Sequence, residues 1–383
     1  MDSRKKILII TNLFPTEWEK QRGMFNYQQF QQLAKSHELV VLIPVPFPAY
    51  IKNVVHKSRI IGNNIETRYV KFYYIPKFLR FSHGISLYMS MRSLIKEIKK
   101  EHYDIVLGSW AFPDGYVAVK LAKSLGVPCI IKVHGSDVNV FTKTMLRRRF
   151  IQHTLNAADY IISVSNDLKN RMKSLNVKED KIQVIYNGLD KNIFYYKDRS
   201  KAREMLNLKN NQYIFLYVGN LKISKGIGEL IQAFKAFIKH HDATLYIIGD
   251  GERMQWIESE IHEHALQDYI YLQGSRGLEE ISQYMSAANV LVLPSYSEGV
   301  PNVLLEAKGC GLPVVATRVG GIPEITNSHD SVLIEKESEQ SLLNGMLEAY
   351  GKEWDPPGIA EQAQDYSWEK NGEMLNQVIC NVC

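Results

Sequence analysis

The segment SEGVPNVLLEAKGCG, residues 297–311, carries two carboxylates, Glu298 and Glu306, with no charged residue between them. Paired carboxylates suit glycosidic chemistry, in which an acid and a base flank the bond at about 5–9.5 Å. The spacing here opposes that use. Eight helical steps rise about 12 Å and turn the second side chain about 80° from the first, so one helix does not aim both acids at one bond. Pro301 favours another geometry, because proline suits a helix's first turn, where its missing N–H costs nothing. Glu298 is then expected in a loop and Glu306 inside the following helix, in separate roles. Between them Gly299, Val300, Pro301, Asn302 and Val303 form a helix start, whose free N–H groups and positive dipole end can hold a diphosphate or sugar hydroxyls. Lys225, in the glycine-flanked GNLKISKG, supplies a point charge for an anion or is a solvated lysine at a helix start.

These residues need elements to hold them. Short apolar runs alternate with amphipathic stretches of helical period, the pattern of parallel sheets covered by helices. The expected strands are ILIIT, LVVLIP, DIVLGS, CIIKVH, YIISVS and IQVIY in the first half, and YIFLYVG, TLYIIG, YIYLQG, NVLVLP, PVVAT and SVLIE in the second. Between the two sets lies the polar, strand-poor NGLDKNIFYYKDRSKAREMLNLKNNQ. The expected fold class is therefore α/β with two doubly wound domains, residues 1–190 and 212–365, joined by a linker at 191–211. In such sheets ligands bind beyond the carboxyl ends of strands, so two facing sheets would enclose a cleft. The candidate residues do follow strands: His134 after CIIKV, Gly219 at the end of YIFLYVG, Glu298 after NVLVLPS.

Composition bounds the partners. At 383 residues the chain is long for a single core, and with 45% hydrophobic and 23% charged residues it can bury sizeable ones. A net charge of +5 is too small to mark a nucleic-acid binder. The basic segment TKTMLRRRFIQHTL sets Arg147, Arg148 and Arg149 in an amphipathic stretch suited to anionic head groups or phosphates, with a solvated helix as the alternative. Four cysteines without framework spacing imply a reducing cytoplasm, and the closing Cys380-Asn-Val-Cys383 lacks the further ligands a zinc site needs. The first apolar run is too short for a signal peptide and reads as a strand. A cytoplasmic protein follows, with peripheral contact at the inner membrane face expected from the arginines.

Taken together the motifs resemble the retaining glycosyltransferases of family 4, with their GT-B fold of two facing Rossmann-like domains, over most of the chain. The run from Glu298 to Glu306 is similar to that family's E-x7-E; HGSD at 134–137 resembles its histidine loop; YVGNLKISKG resembles its phosphate-binding G-R-L-x-x-x-K-G; NGLDKNIF and YSWEKNGEML resemble its pre-linker signature and closing helix, here 366–383, which packs back on the first domain. The resemblance implies that Glu306 accepts from ribose hydroxyls, Glu298 lies by the donor sugar, Lys225 meets the leaving diphosphate, and His134 binds a sugar hydroxyl and orients the donor. It further implies that Gly23 lets the first loop approach the diphosphate, though the family's paired glycines are one here. Gly219 belongs to the phosphate loop, Arg276 lies beside the base, and Asp137 stands with the arginines toward the acceptor or membrane. Asn220 occupies the place of the family arginine, so diphosphate binding must rest on Lys225, helix dipoles or another arginine.

No D-x-D lies near the candidate strands, and GDGE at 249–252 reads as a strand-to-helix turn, so no metal or other cofactor is expected. The partners implied are a nucleotide-sugar donor, with UDP-sugar favoured and GDP-mannose an alternative, and a lipid-linked or glycan acceptor of envelope or capsule synthesis. Two other readings stay open: an epimerase or hydrolase on the same plan, and a non-catalytic nucleotide-sugar binding module.

Overall fold

A computed structural model describes residues 4–54, 56, 58–61, 64–74 and 80–382. The chain divides into two compact units, Met1–Gly188 with Trp368–Cys383, and Leu189–Ser367.

Among the described residues the first unit holds β1 (Lys6–Ile10), β2 (Glu38–Pro46), β3 (Ser58–Ile61), β4 (Ile65–Phe72), β5 (Ile105–Ser109), β6 (Cys129–Val133), β7 (Tyr160–Ser163) and β8 (Ile182–Val184). Their order is β3-β4-β2-β1-β5-β6-β7-β8, parallel except for β3 against β4. Both faces are covered, so consecutive β1 residues feed different cores: Leu8 and Ile10 join Val106 and Ile131 on one side, Ile7 and Ile9 join Leu39 and Leu107 on the other. The helix Trp368–Val382 packs on the helix Met24–Leu33, where Gln29 Nε2 donates to Asn371 Oδ1 at 2.6 Å.

The second unit holds β9 (Ile214–Val218), β10 (Thr244–Ile248), β11 (Ile270–Gly274), β12 (Val290–Leu293), β13 (Val314–Thr317) and β14 (Ser331–Ile334), all parallel in the order β11-β10-β9-β12-β13-β14. Each sheet has one place where the chain reverses its direction of winding: between β1 and β5 in the first, between β9 and β12 in the second. Loops leave such a point in opposite directions and open a crevice at the strands' carboxyl ends.

Two expectations need correction. The strand pair β3–β4 has no counterpart in the apolar-run reading, because the consecutive polar residues Glu66, Thr67 and Arg68, and then Lys71, break the apolar run of β4. Segment 191–211, expected as a linker, lies inside the second unit and contains the helix Arg199–Met205. There Arg203 is buried, its Nε donating to the Ala287 carbonyl at 2.9 Å and its Nη2 to Asn289 Oδ1 at 2.7 Å.

Candidate active site

In the second unit the reversal between β9 and β12 brings Lys225 and Glu298 together. Lys225 ends the turn Ile223–Lys225 after β9, and Gly226 behind it takes φ 67°, which glycine adopts freely. A Cβ at Gly226 would strike the Pro294 carbonyl, so only glycine lets the β9 loop close onto the β12 loop. Tyr296 N–H then donates to the Ser224 carbonyl at 3.0 Å. Lys225 Nζ reaches Glu298 Oε1 at 2.5 Å. The pair is only partly exposed, 30% for the lysine side chain and 11% for the glutamate, so it is less screened than a surface ion pair.

Beyond Glu298, Gly299 accepts from Gly321 N–H at 2.7 Å, and Val300 and Pro301 are buried. The helix starts at Asn302 with Pro301 as its cap, one residue later than the sequence suggested, and no side chain caps its first N–H groups. Asn302 and Val303 open the helix at the positive end of its dipole, and Glu306 is its fifth residue. Glu306 is half-buried, and among the described residues nothing donates to its carboxylate. Desolvation pushes its pKa up to about 7. A carboxylate withdrawn from water without a donor is ready for hydroxyl groups.

Gly219 N–H donates to the Ile248 carbonyl at 3.0 Å, and Asn220 lies exposed with its carbonyl accepting from Tyr217 Oη at 3.0 Å. Arg276 is exposed after β11, its Nε 3.9 Å from Glu280. An arginine that sequence reasoning did not single out, Arg253, comes from the turn after β10: its N–H donates to the Leu221 carbonyl at 3.0 Å and its guanidinium lies 4.2 Å from the Trp256 ring centre.

In the first unit the loops after β1, β5 and β6 meet. Gly23, at φ 63°, starts the helix Met24–Leu33, and a Cβ there would collide with the Leu13 carbonyl. Asn26 Nδ2 donates to that carbonyl at 2.8 Å, which fixes the amide so that its oxygen accepts from Ser109 Oγ at 3.0 Å. Ser109 has one proton and has spent it. Its 2.9 Å contact to His134 must therefore use Nε2–H as donor, which leaves His134 Nδ1 as an acceptor. The imidazole lies between Phe25, centroids 5.0 Å apart, and Trp110, stacked at 5.7 Å. Desolvation, then the neighbouring charge of Lys132, holds its pKa well below the ordinary 6.5, so His134 is neutral. Trp110 keeps its ring there at φ 125°, a strained backbone for a non-glycine residue that costs ~1–3 kcal/mol.

Asp137 does not serve as a contact for an acceptor or membrane. It is buried, and its carboxylate accepts from the N–H groups of Ala111, Gly135 and His134 at 2.9, 2.9 and 3.1 Å, pinning the HGSD turn. The arginine triplet also splits: Arg147 is half-buried and packs on Phe141, whereas Arg148 and Arg149 are exposed. Lys132, within an apolar strand, is fully buried on Gln29 Oε1 at 2.8 Å and Asn187 Oδ1 at 3.4 Å, and burial pushes its pKa down to about 7. Cys383 lies outside the described residues; Cys380 is half-buried and forms no disulfide among the described residues.

Residues 25–192 match the family model of glycosyltransferase family 4, and residues 198–366 that of the glycosyl transferases group 1. The chain belongs to these family 4, group 1 glycosyltransferases. The enzyme is 32% identical over 303 residues to an uncharacterized glycosyltransferase of Methanocaldococcus jannaschii, covering 78% of this chain and 80% of that one. It is 27% identical over 371 residues to a putative teichuronic acid biosynthesis glycosyltransferase of Bacillus subtilis, covering 93% and 92%. Identity is 31% over 293 residues to the UDP-Gal:alpha-D-GlcNAc-diphosphoundecaprenol alpha-1,3-galactosyltransferase of Escherichia coli, covering 73% and 74%. Among solved structures, sucrose-phosphate synthase of Thermosynechococcus elongatus superposes with TM-score 0.81 at 21% identity, over 98% of both chains. Anabaena HepE in complex with UDP-glucose gives 0.75 at 18% identity, over 99% of the glycosyltransferase and all of HepE. Its fold is thus GT-B, built from two Rossmann-like α/β domains. Among the described residues no helix is long and apolar enough to cross a membrane.

Proposed function

We propose that the enzyme moves a sugar, with retention of configuration, from a nucleotide-sugar donor to a lipid-linked or glycan acceptor in envelope or capsule polysaccharide synthesis. UDP-sugar is the favoured donor and GDP-mannose the alternative. The observation that carries this reading is the Lys225–Glu298 pair at the reversal between β9 and β12, where a doubly wound sheet receives its ligand. The UDP-glucose held by HepE and the UDP-Gal and diphosphoundecaprenol named for the Escherichia coli relative support the choice of substrates.

In this mechanism Lys225 and the positive end of the helix that opens at Asn302 and Val303 stabilise the diphosphate as it gains charge, while Glu306 accepts from the ribose hydroxyls. Arg253 replaces the charge missing at Asn220, and Arg276 lies by the base. Glu298 stabilises positive charge at the anomeric carbon, and His134, through Nδ1, accepts from a hydroxyl of the sugar being moved. The bond from anomeric carbon to phosphate oxygen breaks, the acceptor oxygen bonds to the same face, and its proton passes to the departing diphosphate. No metal is required, because Lys225 and backbone dipoles carry the charge. Arg148 and Arg149 remain available for an anionic membrane surface on the cytoplasmic side.

The test uses UDP-glucose, UDP-galactose, UDP-N-acetylglucosamine and GDP-mannose with a short-chain prenyl-diphosphate-linked sugar, in excess chelator. Proton NMR of the early product should show the donor's anomeric configuration preserved. An inverted product, or turnover that only magnesium or manganese restores, refutes the mechanism.

A further inference from the structure

The first unit holds a feature that the donor chemistry leaves unused. A cavity of about 340 Å³ opens among the loops after β1, β2 and β5, lined by Arg22, Arg80, Arg147, Trp110, Phe112 and Phe141. Arg22 is neutralised by Glu19 at 2.7 Å. Arg80 and Arg147 have no carboxylate within ion-pair distance among the described residues. The Arg147 guanidinium lies 4.9 Å from the Phe141 ring centre, and its Nε donates to Thr144 Oγ1 at 3.0 Å. Burial, and after it the charge of Arg80, lowers the Arg147 pKa, as expected of two guanidiniums that share one space.

The half-buried Arg147 and the exposed Arg80 repel each other until an anion joins them. A larger cavity of about 560 Å³ along β4 shows the contrast: its Arg68 is held by Glu66 at 2.7 Å and Glu101 at 2.6 Å, so its charge is spent. Guanidiniums fit phosphate oxygens with paired N–H donors, and the aromatic walls fit an apolar chain or a sugar ring. Trp110 joins this cavity to the histidine loop, one face on His134 and its edge toward Phe141 at 6.2 Å.

We propose that the cavity binds the acceptor's phosphate or diphosphate through Arg80 and Arg147, with Trp110, Phe112 and Phe141 against the group attached to it. The inference rests on the transferase reading and names the acceptor's chemistry: an anion carried either by a lipid diphosphate or by a soluble sugar phosphate.

Isothermal titration decides it, with farnesyl diphosphate and inorganic pyrophosphate as probes and the donor site filled by whichever of UDP or GDP the enzyme binds. Farnesyl diphosphate should bind the wild type and R148Q/R149Q alike, and R80Q/R147Q roughly 10- to 100-fold more weakly. Tighter binding of farnesyl diphosphate than of pyrophosphate assigns the lipid source, and equal binding the soluble one; both keep the anion site. No saturable binding, equal affinity in all three proteins, or equal weakening in R148Q/R149Q overturns the proposal. Nucleotide binding retained by R80Q/R147Q verifies its fold and confines such a failure to the acceptor, whereas a wild type that binds neither nucleotide fails the transferase reading itself.

Discussion

Glu306→Gln perturbs binding and stability in opposite directions, and both follow from its surroundings. A hydroxyl donating to an ionised carboxylate contributes ~1.5–3 kcal/mol, and to a neutral acceptor ~1 kcal/mol. At pH 8 the wild-type carboxyl, with its pKa at about 7, is ionised. The variant should then bind the nucleoside diphosphate less tightly by ~0.5–2 kcal/mol, roughly 2- to 30-fold in affinity. At pH 6 most of the wild-type carboxyl is protonated, so the difference shrinks: wild-type affinity rises with pH through about 7 and the variant's stays level. Stability runs the other way. A carboxyl raised on folding contributes stability below its unfolded value, near 4.5, that is lost as pH rises through about 7. Glu306→Gln should therefore stabilise the ligand-free enzyme at pH 8, with a ceiling of ~3 kcal/mol and, because the side chain is partly exposed, an expected gain of ~1–2 kcal/mol. Calorimetric titration and thermal melts at pH 6, 7 and 8 read both effects. Unweakened nucleotide binding at pH 8 refutes the ribose assignment; a less stable variant at pH 8 means that the protein itself satisfies this carboxylate.

Glu298→Gln should lower kcat by roughly 10²- to 10³-fold, the scale of a preorganised electrostatic group, without weakening nucleotide binding, because it releases Lys225 for the diphosphate. Unchanged turnover removes Glu298 from the reacting sugar. Lys132→Met removes the positive neighbour of His134, so the imidazole titration midpoint, followed by NMR of its C2 proton, should rise while remaining below 6.5 because desolvation persists. A midpoint that does not move means that burial alone sets it.

What the sequence reveals about this molecule is what repeats at short range. ILIIT and YIFLYVG are apolar throughout because parallel strands are buried on both faces, so they stand out in sequence as β1 and β9. The strand β4 instead carries Glu66, Thr67, Arg68 and Lys71 among its apolar residues and escapes a search for apolar runs. Arg203 looks like a surface arginine in a polar segment, yet its donors are met by Ala287 and Asn289, more than 80 residues away. The same limit governs the site. Glu298, Glu306, Lys225 and His134 announce themselves at strand ends, whereas the Lys225–Glu298 contact spans 73 residues and arises from strand order. Lys132 passes for one residue of a strand, since Gln29, its main partner, is 103 positions away. GSWAFPD carries a further signal, an aromatic directly after a strand end, and Trp110 becomes legible only with its rings and backbone in view.

The central claim is that the second unit binds a nucleoside diphosphate at the reversal between β9 and β12, and a thermal-shift panel of UDP, GDP and ADP with wild type and Lys225→Gln tests it most directly. A ligand at 100 times its Kd adds ~2.7 kcal/mol to the native state. One nucleotide should raise the wild-type melting temperature, its sugar conjugate should act likewise, and the shift should shrink in Lys225→Gln. A panel in which no nucleotide moves the melt, or one whose shift Lys225→Gln leaves intact, would contradict the account.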